Sequence, residues 1–290
     1  MNAKLPWAGG TLGVLVGLVL LLPAMLGVDP NALSEAQFDG VSWEHWLGTD
    51  ANGRDLLARV CVGARVSLTV GLAGAGVSLV IGVGWGLVSG YLGGRWDGWM
   101  MRCVDLLYAL PPVLIVIVLS AVFQDPVRAG MERLAGSRGA EWASMFFLVL
   151  GLGGVSWLTM ARIVRGQVHS LKQRPYIEAA RALGAGHGRI LLRHLLPNLS
   201  GIVLVYLTLT IPSIVLGESF LSFLGLGVQP PHASLGSLMA DGAGQINPVR
   251  MRWTPLLGPG GVMVGMLMAL GYLGDGLKEW LNRSSHGAVG

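Results

Sequence analysis

Residues Tyr176–Asn198 read YIEAARALGAGHGRILLRHLLPN and lie between two long apolar runs. The stretch contains three arginines and one glutamate, and three glycines interrupt its middle. Charged side chains are costly to hold in hydrocarbon, so we expect this stretch to lie outside the lipid. It therefore predicts a polar insert between two membrane-spanning helices.

The insert has the pattern of two short helices joined by a tight turn. Pro175 suits the first turn of a helix, and Glu178 is favoured there by the positive end of the helix dipole. Gly184 ends this helix, and apolar spacing resumes from Arg189 up to Pro197, where the next apolar run begins. The prediction is a helix, a turn and a second helix.

The turn carries small side chains beside planar cations. Ala179, Ala180 and Ala185 would let another protein approach the backbone closely. Arg181 and Arg189 offer hydrogen-bond donors for carboxylates on that partner. These features predict a docking element for a second protein.

The rest of the chain is strongly apolar. Of its 290 residues, 52% are hydrophobic and 12% are charged, which is typical of a membrane protein. Six uncharged runs approach bilayer length: Ala8–Val28, Ser67–Tyr91, Leu106–Gln124, Met145–Ala161, Leu199–Gly217 and Leu256–Gly274. The sequence predicts an all-α polytopic membrane protein with six transmembrane helices, the first a retained anchor.

We divide the chain into four parts: an anchor helix over 1–28, an extracytoplasmic segment over 29–66, a five-helix core over 67–280 that includes the loop 167–198, and a tail over 281–290. Within the second part, Asp55 to Val66 is predicted to form an amphipathic helix. That helix either lies at the membrane surface or packs on the bundle. In the second apolar run, glycines four residues apart at 82, 86 and 90 predict close helix packing.

The distribution of cations indicates the orientation. If the amino terminus is cytoplasmic, 12 of the 20 Lys and Arg residues lie on the inner side. Inner loops carry the excess of cations, so we expect both termini and the insert in the cytoplasm. The net charge of +4 then reflects topology, and no nucleic-acid partner is expected.

Helix breakers and one acid are candidates for a pathway or gate. Pro111 near the start of the third run and Pro212 inside the fifth each predict a kinked helix, either a moving part or a static bend. Glu218 is an acid at the edge of the fifth run. It either contacts substrate or makes a structural hydrogen bond with a neighbour such as Ser219 or Ser222.

Several kinds of site are missing from the sequence. Lysine occurs only at 4, 172 and 278, so no phosphate-binding loop of the GxxxxGK[ST] type is present. The histidines and cysteines lack metal-ligand spacing, and a bilayer would separate Cys61 from Cys103. We expect no catalytic residue, no metal site, no cofactor and no disulfide. If the chain is a transporter, it either uses an ion gradient or borrows ATP hydrolysis from another subunit, and the docking insert favours borrowing.

Glu178-Ala179-Ala180, Gly184 and Leu196-Pro197 match the cytoplasmic coupling signature of ABC importer permeases. The run RHLLPN at 193–198 resembles the branch that imports dipeptides, oligopeptides and nickel. Further blocks also resemble that branch: LGTD at 47–50, GRD at 53–55, GARVSL at 63–68, ESFLSFLGLG at 218–227 and LGDGL at 273–277.

This resemblance implies a type I (MetI-like) ABC importer permease in a bacterial inner membrane. Its partners would be a second homologous permease, one or two cytoplasmic ATPases that hydrolyse ATP, and an extracytoplasmic binding protein. The implied substrate is a peptide, with nickel complexes or other small solutes as alternatives. The implied ATPase-coupling residues are Tyr176, Glu178, Ala179, Ala180, Arg181, Leu183, Gly184, Ala185 and Arg189.

Overall fold

The computed structural model describes residues 17, 27, 29–230, 232–247 and 250–287, so the predicted first span, Ala8–Val28, lies outside the described residues apart from two glycines. The helices in order are α1 Leu56–Leu92, α2 Gly94–Tyr108, α3 Pro112–Leu171, α4 Pro175–Ala182, α5 His187–Arg189, a π-helix Ile190–Leu195, α6 Leu196–Phe223, α7 Leu235–Gly244 and α8 Thr254–Gly287. Strands β1 Ile246–Asn247 and β2 Arg250–Met251 form a short antiparallel hairpin.

Five helical stretches are long and apolar enough to cross a membrane: Leu56–Leu92, Pro112–Gly136, Trp142–Leu171, His187–Phe223 and Thr254–Trp280. They correspond to the second to sixth predicted spans and confirm the helical polytopic architecture. Two of them belong to α3, which is interrupted at Gly136, where the backbone has a φ of 65°.

The amphipathic helix predicted from Asp55 to Val66 is wrong as a separate element. Asp55 caps α1 by accepting a hydrogen bond from the backbone N–H of Ala58, and the helix then runs without a break to Leu92. Leu56, Val60 and Ala64 are buried in the bundle core. Of the two placements predicted for this stretch, packing on the bundle is therefore the observed one.

The expected kink at Pro111 is also wrong. Helix α2 ends at Tyr108, and Pro111 and Pro112 occupy the N-cap and the first turn of α3. A proline in a first turn removes no helical hydrogen bond, because the N–H groups there have no partner within the helix. Pro212 does lie inside a continuous helix, α6.

Helix α1 packs closely against the second half of α3. A Cβ placed on Gly82 would lie 2.6 Å from Cβ of Met160, one on Gly86 would lie 2.5 Å from the Ala161 carbonyl oxygen, and one on Gly90 would lie 2.8 Å from Cβ of Val168. Any side chain at these positions would push the helices apart. The predicted glycine packing is confirmed.

The bundle has two ends, each with its own core. At the insert end, Tyr91, Val168 and Leu199 pack together with residues of the insert. At the far end, Leu56, Leu221 and Leu235 belong to a second cluster, which joins α1, α6 and α7. Helix α1 therefore extends from the far end to the insert.

Candidate coupling site and membrane groove

The insert folds into the predicted first helix and turn, but the second helix begins at His187, passes through the π-helix and continues directly into α6. Helix α4 ends in two capping hydrogen bonds: Gly184 N–H donates to the Arg181 carbonyl at 2.9 Å, and Ala185 N–H donates to the Ala180 carbonyl at 3.0 Å. Gly184 has a φ of 79°. This pair of bonds requires a left-handed residue at Gly184, a conformation that glycine adopts without a steric penalty.

The nine predicted coupling residues all lie on the insert and none of them is buried; we call them together the coupling surface. Leu183 at the turn is 88% exposed and Tyr176 is 41% exposed. Five more members are exposed: Glu178, Ala179, Arg181, Gly184 and Arg189. The remaining two, Ala180 and Ala185, are half-buried. An exposed leucine beside alanines and arginines is a surface suited to a protein partner.

The opposite side of the insert forms a buried base. Ile177 is completely buried and packs in the same cluster as Ile190 and Tyr91. The Tyr91 hydroxyl and Nδ1 of His187 are 2.7 Å apart, within hydrogen-bond distance. Arg181 lies over the Tyr91 ring, with 5.7 Å between its guanidinium carbon and the ring centroid. The base therefore attaches the insert to the end of α1.

A charged cluster joins α1, α2 and α3 at the same end. Asp97, which is buried, accepts two hydrogen bonds from Arg165, at 2.5 and 2.6 Å, and one from Ser89 at 2.6 Å. The hydrogen bonds from Arg165, together with that from Ser89, hold the pKa of Asp97 well below its usual range despite burial. Lys172 Nζ donates to the Gly90 carbonyl at 2.9 Å. These bonds fix the end of α1 against α3.

Glu218 is completely buried near the far end. It accepts hydrogen bonds from Ser67 at 2.7 Å, Ser222 at 2.6 Å and Ser219 at 3.3 Å. Ser67 in turn accepts a bond from Leu235 N–H at 3.3 Å. Glu218 thus connects α1, α6 and α7 through hydroxyl groups, which is the structural alternative considered from the sequence.

A groove of about 450 Å³ opens between α2, the two halves of α3 and α6. Six hydroxyl-bearing residues line it within or beside apolar spans: Tyr108, Ser156, Thr159, Tyr206, Thr210 and Ser213. Pro111, Pro212 and Glu218 are not among its lining residues, whereas Pro112 is. The hydroxyls of Ser156, Thr210 and Ser213 donate to backbone carbonyls of their own helices. The groove therefore presents mainly hydroxyl oxygens as neutral acceptors, and no charged residue is among its lining residues.

Sequence reasoning missed three parts of this arrangement. Tyr91 and His187 are 96 residues apart, and Ser67 and Glu218 are 151 residues apart. Asp97 and Arg165, which pair at 2.5 and 2.6 Å, are 68 residues apart. The sequence does not reveal these pairs, because the two members of each pair lie far apart in the chain. Each residue taken alone also looks like an ordinary interfacial or buried side chain.

Residues 82–286 match the family described as binding-protein-dependent transport system inner membrane component. The chain belongs to this family. The match includes the insert, the charged cluster and the groove, so all three lie in the part common to the family. It also supports a multi-pass location in the inner membrane.

Relatives and a solved structure agree with this membership. The chain is 40% identical over 276 residues to the oligopeptide transport system permease protein OppC of Escherichia coli K12, covering 91% of this chain and 84% of the relative. It is 38% identical to the dipeptide transport system permease protein DppC of Bacillus subtilis, covering 93% and 80%. An inward-facing structure of the MetNI methionine ABC transporter matches 76% of this chain and 93% of its own with a TM-score of 0.53 at 18% identity, which supports the type I fold.

Proposed function

We propose that this chain is a permease subunit of an ATP-driven importer of di- or oligopeptides. A second, related permease would complete the translocation pathway, and an extracytoplasmic binding protein would deliver the peptide. One or two cytoplasmic ATPases would hydrolyse the ATP. The observation that carries the proposal is the insert, which presents an exposed coupling surface on a buried base, in a chain whose relatives are named OppC and DppC.

The coupling surface is the part that would dock into an ATPase. Its alanines permit a close approach, Leu183 supplies an apolar contact, and Arg181 and Arg189 supply donors for carboxylates. In this arrangement both termini lie in the cytoplasm together with the insert. The same proposal divides the chain into the anchor helix, the extracytoplasmic segment, the five-helix core and the tail described from the sequence.

The buried base determines which spans would move with the ATPases. Ile177 and the Tyr91–His187 contact attach the insert to α1, and Arg165 and Lys172 attach that end of α1 to α3. A push on the coupling surface would therefore displace α1 and α3 as well as α6, which continues directly from the insert. Two arrangements of these helices, biased by ATP, would give inward-open and outward-open states.

The hydroxyl-lined groove is the part of the chain suited to a peptide pathway. Hydroxyl oxygens can accept hydrogen bonds while their own hydrogens bond the helix backbone, so they can solvate peptide N–H groups regardless of side-chain identity. An uncharged wall would not hold an acidic or basic peptide too tightly for release. Pro212 precedes the groove-lining Ser213, and Glu218 follows the groove-lining Gly217, so both of the sequence-predicted pathway residues on α6 lie next to groove-lining residues on their own helix.

Substitution at Gly184 tests the proposal directly. Gly184→Val forces a β-branched side chain into a left-handed conformation and should distort the coupling surface. We expect the chain to insert normally, to retain less ATPase on purification and to lose peptide uptake. Gly188→Val is the matched control, because a Cβ at Gly188 meets no other atom within 4 Å. Unchanged uptake and unchanged ATPase recovery in Gly184→Val would refute the role of this surface.

A further inference from the structure

Helix α2 has one face on the bundle and one face exposed. Asp97, Met101 and Val104 are buried against α1 and α3. Arg95, Trp99, Arg102 and Leu106 follow at helical spacing on the opposite side, and all four are exposed. Trp96 borders them. We call these five residues the outer stripe.

The outer stripe is unusual in its exposed aromatic area. Trp96 is 69% exposed, Trp99 is 70% exposed and Leu106 is 73% exposed. Tryptophan is enriched where a membrane meets water, because its ring is apolar while its N–H needs a hydrogen-bond partner. Arginine guanidinium groups match phosphate geometry with paired donors.

Contacts with α3 show how α2 is inclined. Asp97 pairs with Arg165, and eleven residues later Tyr108 contacts Thr159 at 3.4 Å between hydroxyl oxygens. Along α2 these positions are about 16 Å apart, whereas along α3 they are about 9 Å apart. Helix α2 therefore crosses α3 obliquely and advances about 9 Å along the span between Asp97 and Tyr108.

That advance is comparable to the thickness of one headgroup layer, roughly 5–8 Å. Two consecutive glycines with positive φ, Gly93 at 66° and Gly94 at 55°, turn the chain from the end of α1 into this path. The order of residues along the path is Arg95, the two tryptophans, Arg102 and then Leu106. The cationic Arg95 begins this path and the apolar Leu106 ends it, in the direction in which the helix advances along α3 toward the groove.

We propose that α2 lies in the membrane interface and that its outer stripe binds anionic phospholipid headgroups through Arg95 and Arg102. Trp96 and Trp99 occupy the boundary between headgroups and acyl chains, Arg102 extends its long side chain back past them to the headgroups, and Leu106 contacts the acyl chains. The charged cluster around Asp97 holds the helix in this position from its bundle side. Lipid composition then acts on the same ends of α1 and α3 to which the insert is attached.

Depth-dependent quenching tests the position of α2. A fluorescent label is attached at Trp99→Cys in a Cys61→Ala, Cys103→Ala background, and the whole transporter complex is reconstituted in lipid nanodiscs. We expect stronger quenching by lipids that carry a nitroxide near the headgroup than by lipids labelled at the acyl terminus or by aqueous iodide. Trp43→Cys is the matched control, since Trp43 is 96% exposed in the segment before α1 and should be quenched mainly by iodide.

Charge substitution tests the headgroup preference. Each cation near an anionic surface contributes roughly fivefold to binding, so Arg95→Gln with Arg102→Gln should reduce the preference of the labelled site for phosphatidylglycerol over phosphatidylcholine by roughly tenfold or more. Arg189→Gln with Arg193→Gln removes the same charge from the insert and should leave that preference unchanged. If the label is shielded from lipid and water alike, a protein covers the stripe and the proposal is wrong. Dominant iodide quenching, or equal loss in both double variants, would also overturn it. Native mass spectrometry of retained phosphatidylglycerol provides the second readout if the labelled variant does not fold.

Discussion

Truncation of Ile177 should uncouple transport without removing the coupling surface. Ile177 is completely buried in the base, and its neighbours include Tyr91 and Ile190. Replacement of a buried isoleucine by alanine costs about 2–5 kcal/mol, and we take about 3 kcal/mol because the base is packed from both α1 and the π-helix. A loss of 3 kcal/mol increases the population of the detached base by roughly 150-fold.

Two measurements test this prediction: hydrogen exchange in the insert, and peptide import per ATP hydrolysed by the whole transporter. Hydrogen exchange of the amides in α4 should accelerate by about two orders of magnitude in Ile177→Ala, whereas amides of α1 should change little. The ATPases should remain bound, because the coupling surface is unaltered, but the number of peptides imported per ATP hydrolysed should fall. Ile177→Val, which costs about 0.5–1.5 kcal/mol, should give an exchange rate and a peptide-to-ATP ratio between those of Ile177→Ala and the native chain.

Two results would refute this reasoning. If exchange in α4 is unchanged, the base does not hold the insert in place. If exchange accelerates while the ratio of peptide to ATP stays constant, attachment to α1 is not part of the coupling path. The second result would leave α6 as the route by which movement reaches the spans.

Three further predictions concern the helix contacts. Asp97→Asn should lower the stability of the complex by about 2 kcal/mol by leaving Arg165 without its charged partner, and thermal unfolding would measure it. The folded chain lowers the pKa of Asp97, so this carboxylate stabilises the fold fully above its pKa in the unfolded chain, about 4, and the stabilisation is lost as the pH falls below that. Asp97 should therefore cause no change in stability between pH 5 and 8. Glu218→Ala should lower the stability by about 3 kcal/mol, because the Ser67 and Ser222 hydroxyl hydrogens lose their acceptor, and Glu218→Gln should have a smaller effect. A changed KM for peptide without loss of stability would instead indicate a pathway role. Gly86→Ala should destabilise the α1–α3 contact by about 1–3 kcal/mol in the same assay, whereas Gly84→Ala, where a Cβ meets no atom within 4 Å, should be neutral.

Apolar length predicted the spans, but it did not locate their ends. Helix α1 begins at Leu56, eleven residues before the apolar run, because Asp55 caps it and because Arg59 is paired with Asp50 at 2.6 Å. The apolar face of residues 55–66 suited either a surface helix or packing on the bundle, and packing with α7 buries that stretch. Helix ends are decided by caps and tertiary partners, which hydropathy does not contain.

The insert was predictable because its features are local. Pro175 and Gly184 mark the two ends of α4, and each acts through its own backbone geometry. The base that holds the insert was not predictable, because Tyr91 on α1 and His187 on α5 are 96 residues apart and come together only in the folded bundle. The same holds for Ser67, whose bond to Glu218 joins helices that are 151 residues apart in the chain.

The π-helix Ile190–Leu195 joins the coupling surface to α6 and affects how that surface is rotated about the axis of α6. At its end, Leu196 N–H donates to the Leu191 carbonyl, five residues back, so this turn contains one residue more than an α-turn. One residue corresponds to about 100° of rotation about an α-helix. The direction in which α5 and the turn before it face around the axis of α6 therefore depends on the number of residues in 190–195, and deletion of one residue there would rotate them by about 100°.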